Sequence, residues 1–200
     1  MKKFLVALLI LVLGFSFSAC GKQIEKAVKD VLEQSGVETD EDGNATKTIT
    51  SPESSLTLSY PLSWSNLKGE LNDDASIELG NPIKEQYLVV IEETDEDFVD
   101  DFNVDVYMGM VMDYFLTSID LDKEPDIQKI KIGKEGIDAR QTRISGAVDN
   151  IKAEYIYSCL ENDGVYYQII AWSIRSKFDD AEPIYMDVLA SITFLQSEDV

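Results

Sequence analysis

Histidine is absent from the chain, and cysteine stands only at positions 20 and 159. The first absence removes the Ser-His-Asp and Cys-His catalytic arrangements in their ordinary forms, and with them the common zinc ligand sets. The second leaves no disulfide framework, because one pair is the most the chain could form. Positive charge is scarce as well, with 17 Lys and Arg against 38 Asp and Glu and a formal net charge of -21. A body of that sign is repelled by nucleic acid and by anionic lipid heads, so a nucleic-acid partner is not expected. Long apolar runs are missing beyond residue 19, and this throws the one such run, at the start, into relief.

That run has a recognisable form. Lys2 and Lys3 give a positive start, and residues 4–19 carry no charge. About 16 residues fall short of the roughly 20 that cross a hydrocarbon core as a helix. Gly14, Ser16 and Ser18 weaken the second half further. A secretory signal over 1–19, cut between Ala19 and Cys20, is therefore expected rather than a permanent membrane helix. The sequence Phe17-Ser18-Ala19-Cys20-Gly21 resembles the lipobox of bacterial lipoproteins, with Phe17 in place of the usual aliphatic residue. The resemblance implies that Cys20 becomes the first mature residue and carries a diacylglyceryl group with acyl chains such as palmitate. Two or more chains hold firmly at about 0.8 kcal/mol per buried methylene. The expected place is the extracytoplasmic face of the cell membrane, or the outer membrane of a double-membrane cell.

Residues 20–47 are read as a tether. Ile24, Ala27, Val28, Val31 and Leu32 share one face of a short helix over 22–34. Residues 35–47 have almost no apolar content and read as a disordered acidic linker. The folded domain is expected over 48–196, long enough for one real core, with a polar tail at 197–200.

Within the domain, period-two runs and turn residues alternate. Strands are expected at 48–51, 56–60, 75–80, 86–92, 127–132, 137–148, 151–160 and 165–174. Residues 87–91 are continuously apolar, as in a strand covered on both faces. Asp149-Asn150 and Asp163-Gly164 are hairpin signals, so the later strands should form an antiparallel meander. One helix is expected at 103–119, capped by Asn103, with Val104, Met108, Val111, Phe115 and Ile119 inward and Tyr107 and Tyr114 flanking. Met108, Met110 and Met112 read as packing rather than as a soft metal site. A last helix is expected over 177–195, the helix proper beginning near Ala181 with Pro183 in its first turn, and Phe178, Ile184, Val188, Leu189 and Ile192 facing the sheet.

The segment Leu58-Ser59-Tyr60-Pro61-Leu62-Ser63-Trp64, followed by Tyr87-Leu88-Val89-Val90-Ile91 and later by Tyr166-Tyr167-Gln168-Ile169-Ile170-Ala171-Trp172 and Phe178, resembles PsbP-like and DcrB-like domains. What the resemblance implies is α+β: an antiparallel sheet of about six strands between helices, an α/β/α sandwich. The resemblance implies an accessory subunit or a protein of unknown role, as most members are, and no catalytic motif is carried over.

Candidate functional residues are few. The acidic run 92–101 offers Asp95, Asp97, Asp100 and Asp101 as cation ligands, but lacks the turn glycine and closing glutamate of a calcium loop. A solvated connection into the helix is the plainer reading. Paired carboxylates can also cleave glycosides, though abundance on an acidic surface is no site. Trp64 should pack at the sheet edge with its indole nitrogen bonded, and Cys159 should be an inert buried thiol. Arg140 and Arg143, three apart on a strand, should point to opposite faces as surface ion-pair partners. The expectation is a monomeric, surface-tethered, non-enzymatic binding or accessory module. It has no cofactor, touches the membrane through its lipid, and has an envelope protein as its possible partner. A divalent cation-binding protein or a carboxylate hydrolase is the alternative.

Overall fold

The computed structural model describes residues 37–39, 45–94 and 102–195. The expected signal peptide, the expected lipidation site Cys20, the expected helix at 22–34, the tail at 197–200 and the ligand candidates Asp95, Asp97, Asp100 and Asp101 all lie outside these residues. Among the described residues no helix is long and apolar enough to cross a membrane.

Among the described residues twelve strands form two sheets, and two α-helices complete the fold. In chain order the strands are β1 (Val37–Thr39), β2 (Ala45–Thr50), β3 (Leu56–Pro61), β4 (Ser65–Asn66), β5 (Ala75–Asn81) and β6 (Gln86–Thr94). Helix α1 (Val104–Phe115) follows, then β7 (Asp120–Leu121), β8 (Gln128–Ile132), β9 (Ile137–Val148), β10 (Ile151–Asn162), β11 (Val165–Ile174), helix α2 (Arg175–Ala190) and β12 (Thr193–Phe194). The main sheet has the order β4-β5-β6-β11-β10-β9-β7, with β8 also paired to β9, and is antiparallel throughout. The meander from β8 to β11 forms as its turns dictate. Asp149 and Asn150 take φ of 51° and 67°, and Asp163 and Gly164 take 51° and 78°, the left-handed pair that a two-residue hairpin with right-twisted strands requires.

Period-two alternation along β10 and β11 sorts the side chains into two cores. Ile156, Leu160, Tyr167, Ile169 and Ala171 face α2, whose Phe178, Ala181, Tyr185, Val188 and Leu189 are buried against them. Tyr157, Cys159, Tyr166 and Ile170 face α1, which buries Tyr107, Met108, Val111 and Met112. The sheet thus lies between helices, an α/β/α sandwich of the expected class, with more strands than the six anticipated.

Four local expectations need correction. The expected hairpin forms, since β2 pairs with β3, but it belongs to a second sheet of order β1-β2-β3-β12. Its strand β2 starts at Ala45, before the strand start expected at 48, because Thr46 and Lys47 find partners in Pro61 and Tyr60; β1 also falls where a linker was expected.

Helix α1 ends at Phe115, not at Ile119. The hydroxyls of Thr117 and Ser118 donate to the carbonyls of Tyr114 (2.7 Å) and Phe115 (3.0 Å), closing the end with a 3₁₀ turn, and β7 then draws the chain extended along β9. Its buried face is also rotated: Tyr107 and Met112 are inside, while Val104 and Phe115 are only partly covered.

Helix α2 starts at Arg175 and carries Pro183 in its interior. Proline removes one hydrogen bond, to the carbonyl of Asp179. Pro183 is exposed and the Asp179 side chain is 96% exposed, so the break faces solvent, where water can take that carbonyl. The helix stops at Ser191, whose hydroxyl donates to Val188 O (2.7 Å) and accepts from the Ser59 amide (2.8 Å), tying the second sheet to the helix.

Arg140 and Arg143 do point to opposite faces, but Arg140 is buried. Its guanidinium reaches Asp105 on α1 (Nη2 to Oδ2, 2.7 Å), while Arg143 reaches Glu154 (2.6 Å) and Glu182 of α2 (3.0 Å). Gly146 is needed where α1 hands over to β7, since a Cβ there would stand 2.4 Å from Ile119 Cγ2 and 2.7 Å from Asp120 O.

Candidate functional site

Helix α1 has 12 residues, so at about 1.5 Å per residue it spans roughly 18 Å. The main sheet places seven strands side by side, roughly 29 Å across at ~4.8 Å spacing. A single short helix cannot cover that face. What it leaves toward the β5–β6 edge is a groove of about 730 Å³. Ala75, Ile91, Glu93 and Ile170 form part of its floor, Met110, Val111 and Phe115 of α1 its wall, and Glu53, Asp73, Asp74 and Glu92 its rim.

A polar network is built into the floor. Gln168 on β11 donates to Glu93 Oε2 (2.9 Å) and to Tyr107 Oη (3.0 Å). Tyr107 donates its hydroxyl proton to the same carboxylate oxygen, and Tyr157 donates to Gln168 Oε1. Burial, reinforced by the bond to Glu93, pushes the Tyr107 phenol well above its ordinary range. Burial, reinforced by the charge of Glu93, does the same to Tyr157. Both phenols therefore stay protonated donors. Two donors converge on Glu93 Oε2, whereas Oε1 receives no hydrogen bond from the described residues. Among those residues neither Glu92 nor Glu93 has an ion-pair partner. On the other face of β6, Glu92 Oε1 accepts from Ser76 (2.8 Å), and its buried Oε2 has no partner among the described residues.

The aromatic content of this face is high. Phe115 packs edge-on to Tyr157 at a centroid distance of 4.9 Å, and Tyr107 lies 4.9 Å from Tyr166. Tyr114 lines the groove while 83% exposed, and Met110 is 43% exposed. Apolar side chains displayed beside a concave surface are what a binding groove presents.

The residues singled out from sequence fall elsewhere. Trp64 is 1% exposed with Nε1 bonded to Gln86 Oε1 (3.1 Å), a packed edge residue as anticipated. Cys159 is fully buried, and burial followed by the Glu93 charge raises its thiol far above the ordinary range, so it is an inert thiol. Among the described residues no group of three His, Cys, Asp or Glu side chains could hold a metal ion. One carboxylate escaped attention: Glu78 on β5 is buried. Burial opposes its charge, but the backbone N–H groups of Leu71 and its neighbours outweigh that and hold its carboxyl below the ordinary value. It pins the 69–72 loop, at 2.9 Å from each of the Glu70 and Leu71 amides.

The network of Glu93, Tyr107, Tyr157 and Gln168 was also missed. Its signal was present: along the α1 face of β11 the sequence reads Tyr166, Gln168, Ile170, Trp172, and one amide in an apolar row needs partners.

No family model matches the chain, and neither does the sequence of any curated protein. Solved structures do resemble it. Cyanobacterial PsbP (CyanoP) from Synechocystis sp. PCC 6803 superposes with a TM-score of 0.52 at 15% identity, covering 75% of this chain and 92% of that one. LpqN of Mycobacterium tuberculosis, a protein involved in cell envelope biogenesis, gives 0.46 at 12% identity over 78% of this chain and 89% of that one. The likeness to CyanoP shows the fold alone, and it is the PsbP-like fold that the sequence resemblance implied.

Proposed function

We propose that this is a lipid-anchored, non-enzymatic binding module of the cell envelope, held at the membrane through Cys20 and engaging a small molecule in the groove beside α1. The groove carries the reading. Its volume of about 730 Å³ lies within the roughly 300–1,000 Å³ usual for ligand sites, and it joins an apolar floor to a few placed polar groups. The resemblance to PsbP-like domains points the same way, since that family supplies accessory subunits. The lipobox-like Phe17-Ser18-Ala19-Cys20 and the net charge of -21 favour a lipid over a protein surface as the anchor.

Two measurements test this. Nile red, a neutral apolar dye, should bind the whole chain saturably at one site, and Met110→Glu should abolish its fluorescence gain. Saturable binding that Met110→Glu leaves intact would place the site elsewhere. For the anchor, Cys20→Ser should move the product from the membrane fraction to the soluble one. Retention with the membranes as before would refute lipidation at Cys20.

A further inference from the structure

We infer that the groove takes an ammonium group carried on an apolar body, an inference that rests on the groove being the binding face. The charge of the lining is of one sign: Glu53, Asp73, Asp74, Glu92 and Glu93 contribute to it, and among the described residues no lysine or arginine does. Anionic and zwitterionic-acid ligands are thereby disfavoured.

The choice between an organic cation and a metal ion follows from the oxygens. A divalent ion of the calcium type needs six to eight oxygen ligands. Here Glu93 Oε2 is already held by Tyr107 and Gln168, which leaves its Oε1, since Glu92, next along β6, points to the other face of the sheet, and the described residues converge on no metal-binding group. One free oxygen on a carboxylate fixed by two donors suits a single monovalent charge.

The walls suit the rest of such a molecule. Tyr114, Phe115 and Tyr157 line the same groove, and aromatic rings attract ammonium groups through their negative faces. With the Tyr157 phenol held protonated, that ring stays neutral. Ile91, Met110 and Ile170 offer an alkyl chain an apolar bed that water leaves readily. Neither surface serves a bare metal ion.

Isothermal titration calorimetry on the full chain bearing Cys20→Ser decides the point. The probes are hexyltrimethylammonium, its neutral counterpart hexanol, its anionic counterpart hexyl sulfate, and calcium chloride. The expected result is 1:1 binding of hexyltrimethylammonium at least tenfold tighter than hexanol, with no heat from hexyl sulfate. Glu93→Gln keeps an acceptor for Tyr107 and Gln168 and should reduce that preference to about threefold or less. Should Glu93→Gln fail to fold, Tyr114→Ala and the pair Asp73→Asn with Asp74→Asn alter exposed residues only and should each weaken ammonium binding severalfold. Equal affinity for hexanol and hexyltrimethylammonium would overturn the ammonium assignment and leave the groove standing. Calcium that binds and displaces the ammonium probe would assign the rim to a metal ion instead. Failure of every probe, together with failure of Nile red, would overturn both the ligand class and the groove.

Discussion

The two faces of the main sheet are made by the same strands and differ in kind. On one, α2 and the second sheet together seal the surface: Leu56, Leu58, Leu88, Phe178 and Tyr185 are fully buried, and charge is pushed to the margin, where Arg143 sits 4.4 Å above the Phe178 ring and bridges Glu154 and Glu182. On the other, among the described residues α1 alone covers too little, and the groove floor beside it carries a carboxylate, two phenols and an amide that bond one another. Two covering layers give a dry face that supplies stability. One gives a partly open face that can afford polar groups because each already has partners. On the proposed reading, binding and folding fall on opposite sides of one sheet.

Substitutions can break that division, and the largest effect should come from the sealed face. Phe178→Ala removes a fully buried ring between the helix and the sheet, and urea unfolding should show a loss of about 3–5 kcal/mol with Nile red binding retained in the folded fraction. A loss below about 1 kcal/mol would mean that this face is not the main source of stability.

Next comes the network. Tyr107→Phe takes one donor from the partly buried Glu93 carboxylate and should cost about 2 kcal/mol, in the range for hydrogen bonds to charged groups. A neutral or stabilising outcome by the same measurement would show the network to be dispensable for folding.

The smallest effect concerns the pH response at the α1 N-terminus. Hydrogen bonds from Arg140 hold the Asp105 carboxyl at about 2, below its ordinary 3.8. Its contribution is therefore complete above about pH 4 and is lost as the pH falls toward 2. The stability gap between wild type and Asp105→Asn should be constant above pH 4 and should close across that window in thermal melts. A gap that stays constant down to pH 2 would contradict the pairing.

The sequence was most informative where the signal is local. Hairpins at Asp149-Asn150 and Asp163-Gly164 and the doubly covered strand around Val89 are written in a few adjacent residues, and each forms as expected. Element ends were less legible because distant partners decide them. Ser59, some 130 residues away in the chain, helps to stop α2 at Ser191, and β7 stops α1 by pairing with β9. Pro183 misled the reading of α2, since a proline on the solvent side of a well-packed helix interrupts one bond without ending it. The site was the least legible part. Glu93, Tyr107, Tyr157 and Gln168 lie on four elements, and only the packing of α1 on β6, β10 and β11 brings them together.

Methyl NMR of the isotope-labelled chain titrated with Nile red tests the division between the faces most directly. The methyl groups of Ile91, Met110, Val111 and Ile170 should shift together with one dissociation constant, while those of Leu56, Ile156, Leu160 and Leu189 stay within line width. Shifts confined to the second group, or spread evenly over both, would contradict it.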